Sequence, residues 1–202
     1  MIEMRYGYPF KGKFKMTCAF GKKGNWHCGW HTGVDIVGID DKSVCAIADG
    51  VVESINAHGS SYGNHICIRH TDGMMSLYAH LASVKVKAGA KVCMGEVIGI
   101  MGKSCNASGE HLHLELHTGK YSYPAKGSTA DKVKSPIDGY AWIEDHIGRD
   151  EDMNSTNENE PSAWACEAWE WAKKEKLMDG TRPKSSLTRE ELAVILMRLS
   201  KR

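Results

Sequence analysis

No stretch of the 202-residue sequence approaches the roughly 18 consecutive apolar residues that a bilayer-spanning helix needs, so neither a spanning helix nor a membrane partner is expected. The segment from Met1 to Phe10 shows no charged leader, apolar run and small-residue cleavage site in succession. The expectation is therefore synthesis in the cytoplasm without a signal peptide. Neither sign of charge prevails, with 26 Lys plus Arg against 25 Asp plus Glu. Whole-chain charge gives no reason to expect a nucleic acid partner. The seven cysteines contain no C-x-x-C pair, which sets aside a zinc ribbon. Their number is odd, and several sit in apolar runs such as Val44-Cys45-Ala46-Ile47, where a free thiol behaves as a small hydrophobe. Reduced cysteines are expected. The H-E-x-x-H pattern is also missing, and with it the glutamate base of the helical zincins.

What is present is a chain with 42% hydrophobic and 25% charged residues, the balance of a folded globular protein. From Val44 to Met101, short β-branched runs (Val51 to Ile55, Ile66 to Ile68, Met75 to Tyr78, Val84 to Val86, Val97 to Ile100) alternate with turn signals such as Asp49-Gly50 and Asp72-Gly73. No comparable helical period interrupts them, so a mainly β domain is expected, an antiparallel β-sheet or sandwich. Residues 149–161 turn acidic and amide-rich with hardly an apolar side chain, the composition of a linker. Beyond it, Trp164, Ala165, Ala168, Trp169 and Ala172 recur at helical spacing after Ser162, a possible N-cap. Thr188 and Glu191 have the spacing of a capping box at a second helix. The expected organisation is residues 1–148 as the β domain, 149–161 as linker and 162–202 as a small α-helical module.

Two segments carry candidate chemistry. His31 and Asp35 stand four apart, a spacing that puts both on one face of an extended strand. From Gly109 to His117, polar and apolar residues alternate, so His111, His113, Glu115 and His117 share a face while the leucines point to the core. Imidazole and carboxylate are zinc ligands, and a catalytic site keeps a fourth position for water. His31, Asp35 and His113 would supply three. A single histidine is more often a surface or packing residue than a ligand; the ordered combination, with Tyr78-Ala79-His80-Leu81 between the two segments, is what raises the signal.

This combination resembles the lysostaphin-type zinc endopeptidases of peptidoglycan. The likeness runs from about Tyr8 to Ile143 through Gly33-Val34-Asp35, Ala48 to Val52, Tyr62-Gly63-Asn64, His70 to Gly73, Tyr78 to Leu81, Val92 to Gly102 and Ser108 to Glu115. Glu110 stands where many members have proline. The resemblance implies one zinc ion per chain held by His31, Asp35 and His113, with His80 and His111 as the catalytic pair. One of the pair would take the proton of the attacking water and the other would hydrogen-bond the oxyanion. Glu115 is the rival base, with orientation of an imidazole, or plain exposure, as its expected role. His58, His65, His70, His117 and His146 are read as surface or packing residues, and His27 as near the site in sequence only.

Residues 164–199 resemble one S-layer-homology repeat, which implies attachment to a secondary wall polymer or self-association with copies from other chains. Together these readings point to a peptidoglycan endopeptidase of the phage endolysin type, acting on the wall after release. The alternatives are a non-catalytic wall-binding or regulatory module, and a virion tail component.

Overall fold

The β-branched runs form strands whose pairing brings distant parts of the chain together. The structure, a computed structural model, describes residues 5–58, 60–147 and 174. The expected linker and, apart from Lys174, the expected helical module lie outside the described residues. In chain order the strands are β1 (Phe14–Cys18), β2 (Val34–Gly38), β3 (Ser43–Cys45), β4 (Gly50–Ile55), β5 (Asn64–His70), β6 (Met74–Val84), β7 (Lys91–Val92), β8 (Val97–Met101) and β9 (Leu112–Thr118). A single 3-10 turn, Ser60–Tyr62, and one helix, α1 (Gly139–His146), complete the described elements. Asp138 caps α1 by accepting from the backbone of Tyr140 and Ala141, both at 3.1 Å.

All strands pair antiparallel, in the order β1-β2-β9-β6-β5-β4-β7, with β8 bridging β3 and β6. The mainly β, antiparallel expectation holds. Gly73, at φ 87°, makes the tight turn between β5 and β6 that the Asp72-Gly73 pair signals, and Asp72 accepts from the Met74 amide at 2.9 Å.

Strand β9 lies between β2 and β6 and is buried on both faces. Leu112, Leu114 and Leu116 enter the main core with Val34, Ile36, Tyr78, Leu81 and Ile143. Burying each such leucine stabilises the fold by about 1.5–3 kcal/mol. The opposite face, His113, Glu115 and His117, is not solvent-exposed: all three are buried. A second cluster, Tyr62, Cys67, Met75, Leu77 and Ala79 with Tyr121 against it, fills the interior outside the main core. Plain exposure of Glu115 is therefore excluded.

Strand β6 changes partner midway. It pairs with β9 as far as Ala79, opposite His113, and with β8 from Leu81 onward. His80 sits at this junction with φ 61°. A left-handed conformation in a non-glycine residue inside a strand is uncommon, and it re-aims one side chain out of the regular pleat.

Candidate metal centre and catalytic cleft

The pairing of β2 with β9 sets Asp35 directly opposite His113. Residues opposite each other in an antiparallel pair present side chains to the same face. His31 precedes β2 rather than lying in it, which corrects the single-strand reading of the His31 to Asp35 spacing. The chain reaches back through Gly33, where a Cβ would collide with the Leu114 carbonyl oxygen and stand 2.9 Å from His113 Cε1. Only glycine lets the His31 segment lie this close to β9.

The result is a triangle of ligand atoms. His31 Nε2 lies 3.0 Å from Asp35 Oδ1, His113 Nδ1 lies 3.0 Å from the same oxygen, and the two nitrogens are 3.0 Å apart. Three atoms so spaced lie on a circle of radius about 1.7 Å, within reach of one ion bound at about 2.0–2.2 Å. Each imidazole is oriented from its far side. His31 Nδ1 donates to the Ala19 carbonyl at 3.1 Å, leaving Nε2 for the metal. His113 Nε2 donates to Glu115 at 3.0 Å, leaving Nδ1. With both far-side nitrogens protonated, His31 Nε2 and His113 Nδ1 meet as two lone pairs, an arrangement that a shared proton or a metal ion relieves. The donor set fits zinc, with two nitrogens, one carboxylate oxygen and a carboxylate behind one of the ligating rings.

The electrostatics agree. Burial disfavours charge on Asp35, yet hydrogen bonds from His113 and His31 outweigh it and hold the carboxylate well below its ordinary range. Burial likewise opposes the Glu115 carboxylate, and His113 and His117 outweigh it. Burial also opposes a charged His113, but Asp35 and Glu115 raise its pKa to about 9. The metal-free chain thus keeps a proton where a metal ion would sit.

His80 and His111 flank this triangle. Their ring centroids are 4.9 Å apart, and His80 lies 5.8 Å from His113. His80 Nδ1 donates to the Ser104 carbonyl at 3.2 Å and His111 Nδ1 to the Gly109 carbonyl at 2.9 Å. His111 Nε2 stands 3.6 Å from Asp35 Oδ1, outside hydrogen-bond distance. Burial, followed by the charges of His113 and His111, lowers the His80 pKa to about 4. His80 is therefore a neutral imidazole with Nε2 available as an acceptor. His111 lies just before β9, tied by a bridge to Gly102, and Glu110 faces outward to Lys42 at 2.6 Å.

All five sequence-selected residues line one cleft of about 430 Å³. Asn25, Trp26, His27, Ser61, Tyr62, Asn106, Ser108 and Tyr123 share its wall. His27 is thus at the site in space, a correction to its reading as near in sequence only. Its ring lies 6.1 Å from Tyr123, and Trp26 covers His31 at 4.9 Å. Glu115 accepts from Thr32, from Tyr62 at 2.9 Å, from His113 and from His117 at 2.9 Å. Thr32, Tyr62 and His117 are the supporting residues that sequence reasoning did not place. The alternation that puts His117 on the face of Glu115 was a usable signal; Thr32 and Trp26 offered none.

Fold and site together are an antiparallel β-sheet domain with a candidate metal centre in its cleft. Residues 29–139 match the family model for peptidase family M23. The chain belongs to that family. It is 41% identical over 85 residues to the DD-carboxypeptidase/endopeptidase Mpg of Neisseria meningitidis, covering 42% of this chain and 19% of that protein. It is 37% identical over 113 residues to the peptidoglycan DD-endopeptidase ShyA of Vibrio cholerae, covering 54% of this chain and 26% of that protein. The chain thus spans about a quarter or less of these relatives' length. The catalytic domain of the antimicrobial peptidase lysostaphin from Staphylococcus simulans superposes with a TM-score of 0.55 at 26% identity, covering 65% of this chain and 92% of that one. A zinc-containing peptidase from Vibrio cholerae gives a TM-score of 0.50 at 26% identity, over 60% of this chain and 41% of that one.

Proposed function

We propose that the chain is a zinc-dependent endopeptidase that hydrolyses peptide bonds in the stem or cross-bridge of bacterial peptidoglycan. The observation that carries this reading is the 3.0 Å triangle of His31, Asp35 and His113 with His80 and His111 on the wall of the same cleft. Membership of family M23 and relatives described as peptidoglycan endopeptidases support the substrate class.

A zinc ion held by the three ligands would supply Lewis acidity, polarising the scissile carbonyl and making water a nucleophile near neutral pH. The chain's residues do the rest. Glu115 orients His113, and the Ala19 carbonyl orients His31, so the ligand atoms are set before metal arrives. His80, neutral and fixed by Ser104, is suited to take up a proton at Nε2. His111, its Nδ1 held by the Gly109 carbonyl and its Nε2 turned towards Asp35 from the other side, would donate to the oxyanion once Nε2 has taken up a proton.

The described cysteines are free thiols, which suits storage in a reducing compartment before release to the wall, the habit of a phage-type endolysin. Residues 162–202 would then add affinity for a secondary wall polymer or pair with other chains.

The deciding experiment measures zinc content and release of free amino groups from purified peptidoglycan, for the wild type and His113→Ala. One zinc per chain and activity lost in the variant is the expected result. A metal-free, inactive wild type would overturn the enzyme reading in favour of a non-catalytic binding module.

A further inference from the structure

A fourth side chain with an atom able to ligate a metal lies near the site, at the edge of the sheet. Strand β1 pairs with β2 so that Cys18 is directly opposite Asp35. A register shift between Met16 and Cys18 gives β1 a bulge immediately before this pair, the kind of feature that re-aims a side chain. Thr17 donates its hydroxyl to the Asp35 carbonyl at 3.2 Å and so ties the two strands together here. Cys18 Sγ, one ring nitrogen of His31 and one carboxylate oxygen of Asp35 all lie within 4.8 Å of one another. The thiol has no strong partner to hold it elsewhere: its contact is to the Ala19 carbonyl at 3.9 Å, the same oxygen that receives His31 Nδ1. Cys18 is half-buried, so its Sγ is neither locked in the core nor free in solvent.

We propose that Cys18 is a displaceable fourth ligand of the metal held by His31, Asp35 and His113, an inference that rests on the zinc reading above. Around a tetrahedral zinc with Zn–S of about 2.3 Å and Zn–N or Zn–O of about 2.0–2.1 Å, the sulfur lies about 3.6 Å from its neighbouring ligand atoms. Cys18 Sγ already lies within 4.8 Å of His31 and Asp35, so a change of side-chain rotamer, which an edge-strand residue can make without shifting β2, is the movement that would bring it to the metal. In the closed state the thiol gives its proton to solvent, an Sγ–metal bond forms and the water that would fill the fourth position leaves. In the open state the sulfur takes a proton back and the position returns to water. Four protein ligands make a closed site, three an open one, so Cys18 sets the fraction of chains ready to act on the wall.

The test uses the full chain loaded with cobalt(II) in place of zinc. The expected result is one cobalt per chain with a near-ultraviolet thiolate-to-cobalt charge-transfer band in the wild type. In Cys18→Ser the band should be absent while the cobalt stoichiometry is unchanged. A wild type that binds one cobalt with no such band, or a Cys18→Ser chain that keeps it, overturns the inference and leaves the zinc reading intact. Failure to bind cobalt at all overturns both. As a second readout, alkylation of Cys18 by iodoacetamide, followed by peptide mass, should slow about tenfold or more on zinc loading, because a coordinated thiolate is no longer a free nucleophile. Equal rates with and without zinc overturn the inference.

Discussion

Replacing Glu115 with glutamine should weaken zinc binding without unfolding the chain. The side chain of Glu115 is 0% exposed and gathers four donors. Three of them, Thr32, Tyr62 and His113, converge on Oε1, and His117 alone meets Oε2. A glutamine can place its carbonyl oxygen at the Oε1 position and keep all three. Its amide nitrogen then faces His117 Nε2, which can accept because His117 Nδ1 has the Ser135 hydroxyl as its other partner, at 3.1 Å. The hydrogen-bond count survives and the charge does not. What is lost is the negative charge behind His113 that makes Nδ1 a stronger donor to the metal. Outer carboxylates of this kind are worth about 10–100-fold in metal affinity, or roughly 1.4–2.7 kcal/mol.

The assay is a chelator competition that gives the zinc Kd for wild type and Glu115→Gln, with thermal unfolding of the metal-free chains as control. A Glu115→Gln chain that binds zinc within twofold of wild type would refute the reasoning, since Glu115 would then be a packing group only. Glu115→Ala sharpens the contrast. It leaves several buried donors unpaired at about 1–3 kcal/mol each, and is expected to lower the metal-free melting temperature as well as the affinity.

His80→Ala and His111→Ala are each expected to abolish turnover while keeping one zinc per chain; full activity in either would sink the role given to that residue. Because His80 has φ 61°, His80→Asn, which tolerates that conformation, is the control for backbone strain and should be equally inactive. Deleting residues 155–202 should reduce co-sedimentation with purified cell walls and leave zinc content unchanged; unchanged sedimentation would remove the wall-anchor proposal.

The sheet and the ligand set were legible in the sequence for different reasons. Asp72-Gly73 and the β-branched runs report local geometry, and local geometry is what strands and tight turns are made of. His113 and Asp35 stood out because β9 alternates strictly and because the two segments occur in a fixed order around Tyr78 to Leu81. What covers a face is not local. The alternation from His111 to His117 reads the same whether the polar side meets water or a second buried layer of Tyr62, Leu77 and Ala79. His27 escaped because its place depends on how the loop before β2 folds over the cleft against Tyr123. The bend at His80 arises where β6 trades β9 for β8, a choice made by two other strands.

One buried and one half-buried carboxylate flanking one imidazole determine how the metal-free chain responds to pH. Asp35 and Glu115 raise the His113 pKa to about 9, against about 6.5 in the unfolded chain. A raised pKa contributes stability that is complete below the unfolded value and is lost as pH climbs through the folded one. The loss therefore falls between about pH 6.5 and 9, and a shift of that size is on the order of 3 kcal/mol. Asp35 and Glu115, both depressed, act at the other end: their contribution is present above about pH 4 and is lost as pH falls further. Zinc must displace the proton on His113, so its apparent affinity should rise about tenfold per pH unit up to about pH 9. The two trends reinforce each other, because the ion supplies what the departing proton no longer does. Melting temperatures measured with zinc and with a chelator should diverge from pH 6 to pH 9. A gap that stays constant or narrows over that range would mean that proton and metal do not share His113, and that the triangle of ligand atoms is held by the protein for some other end.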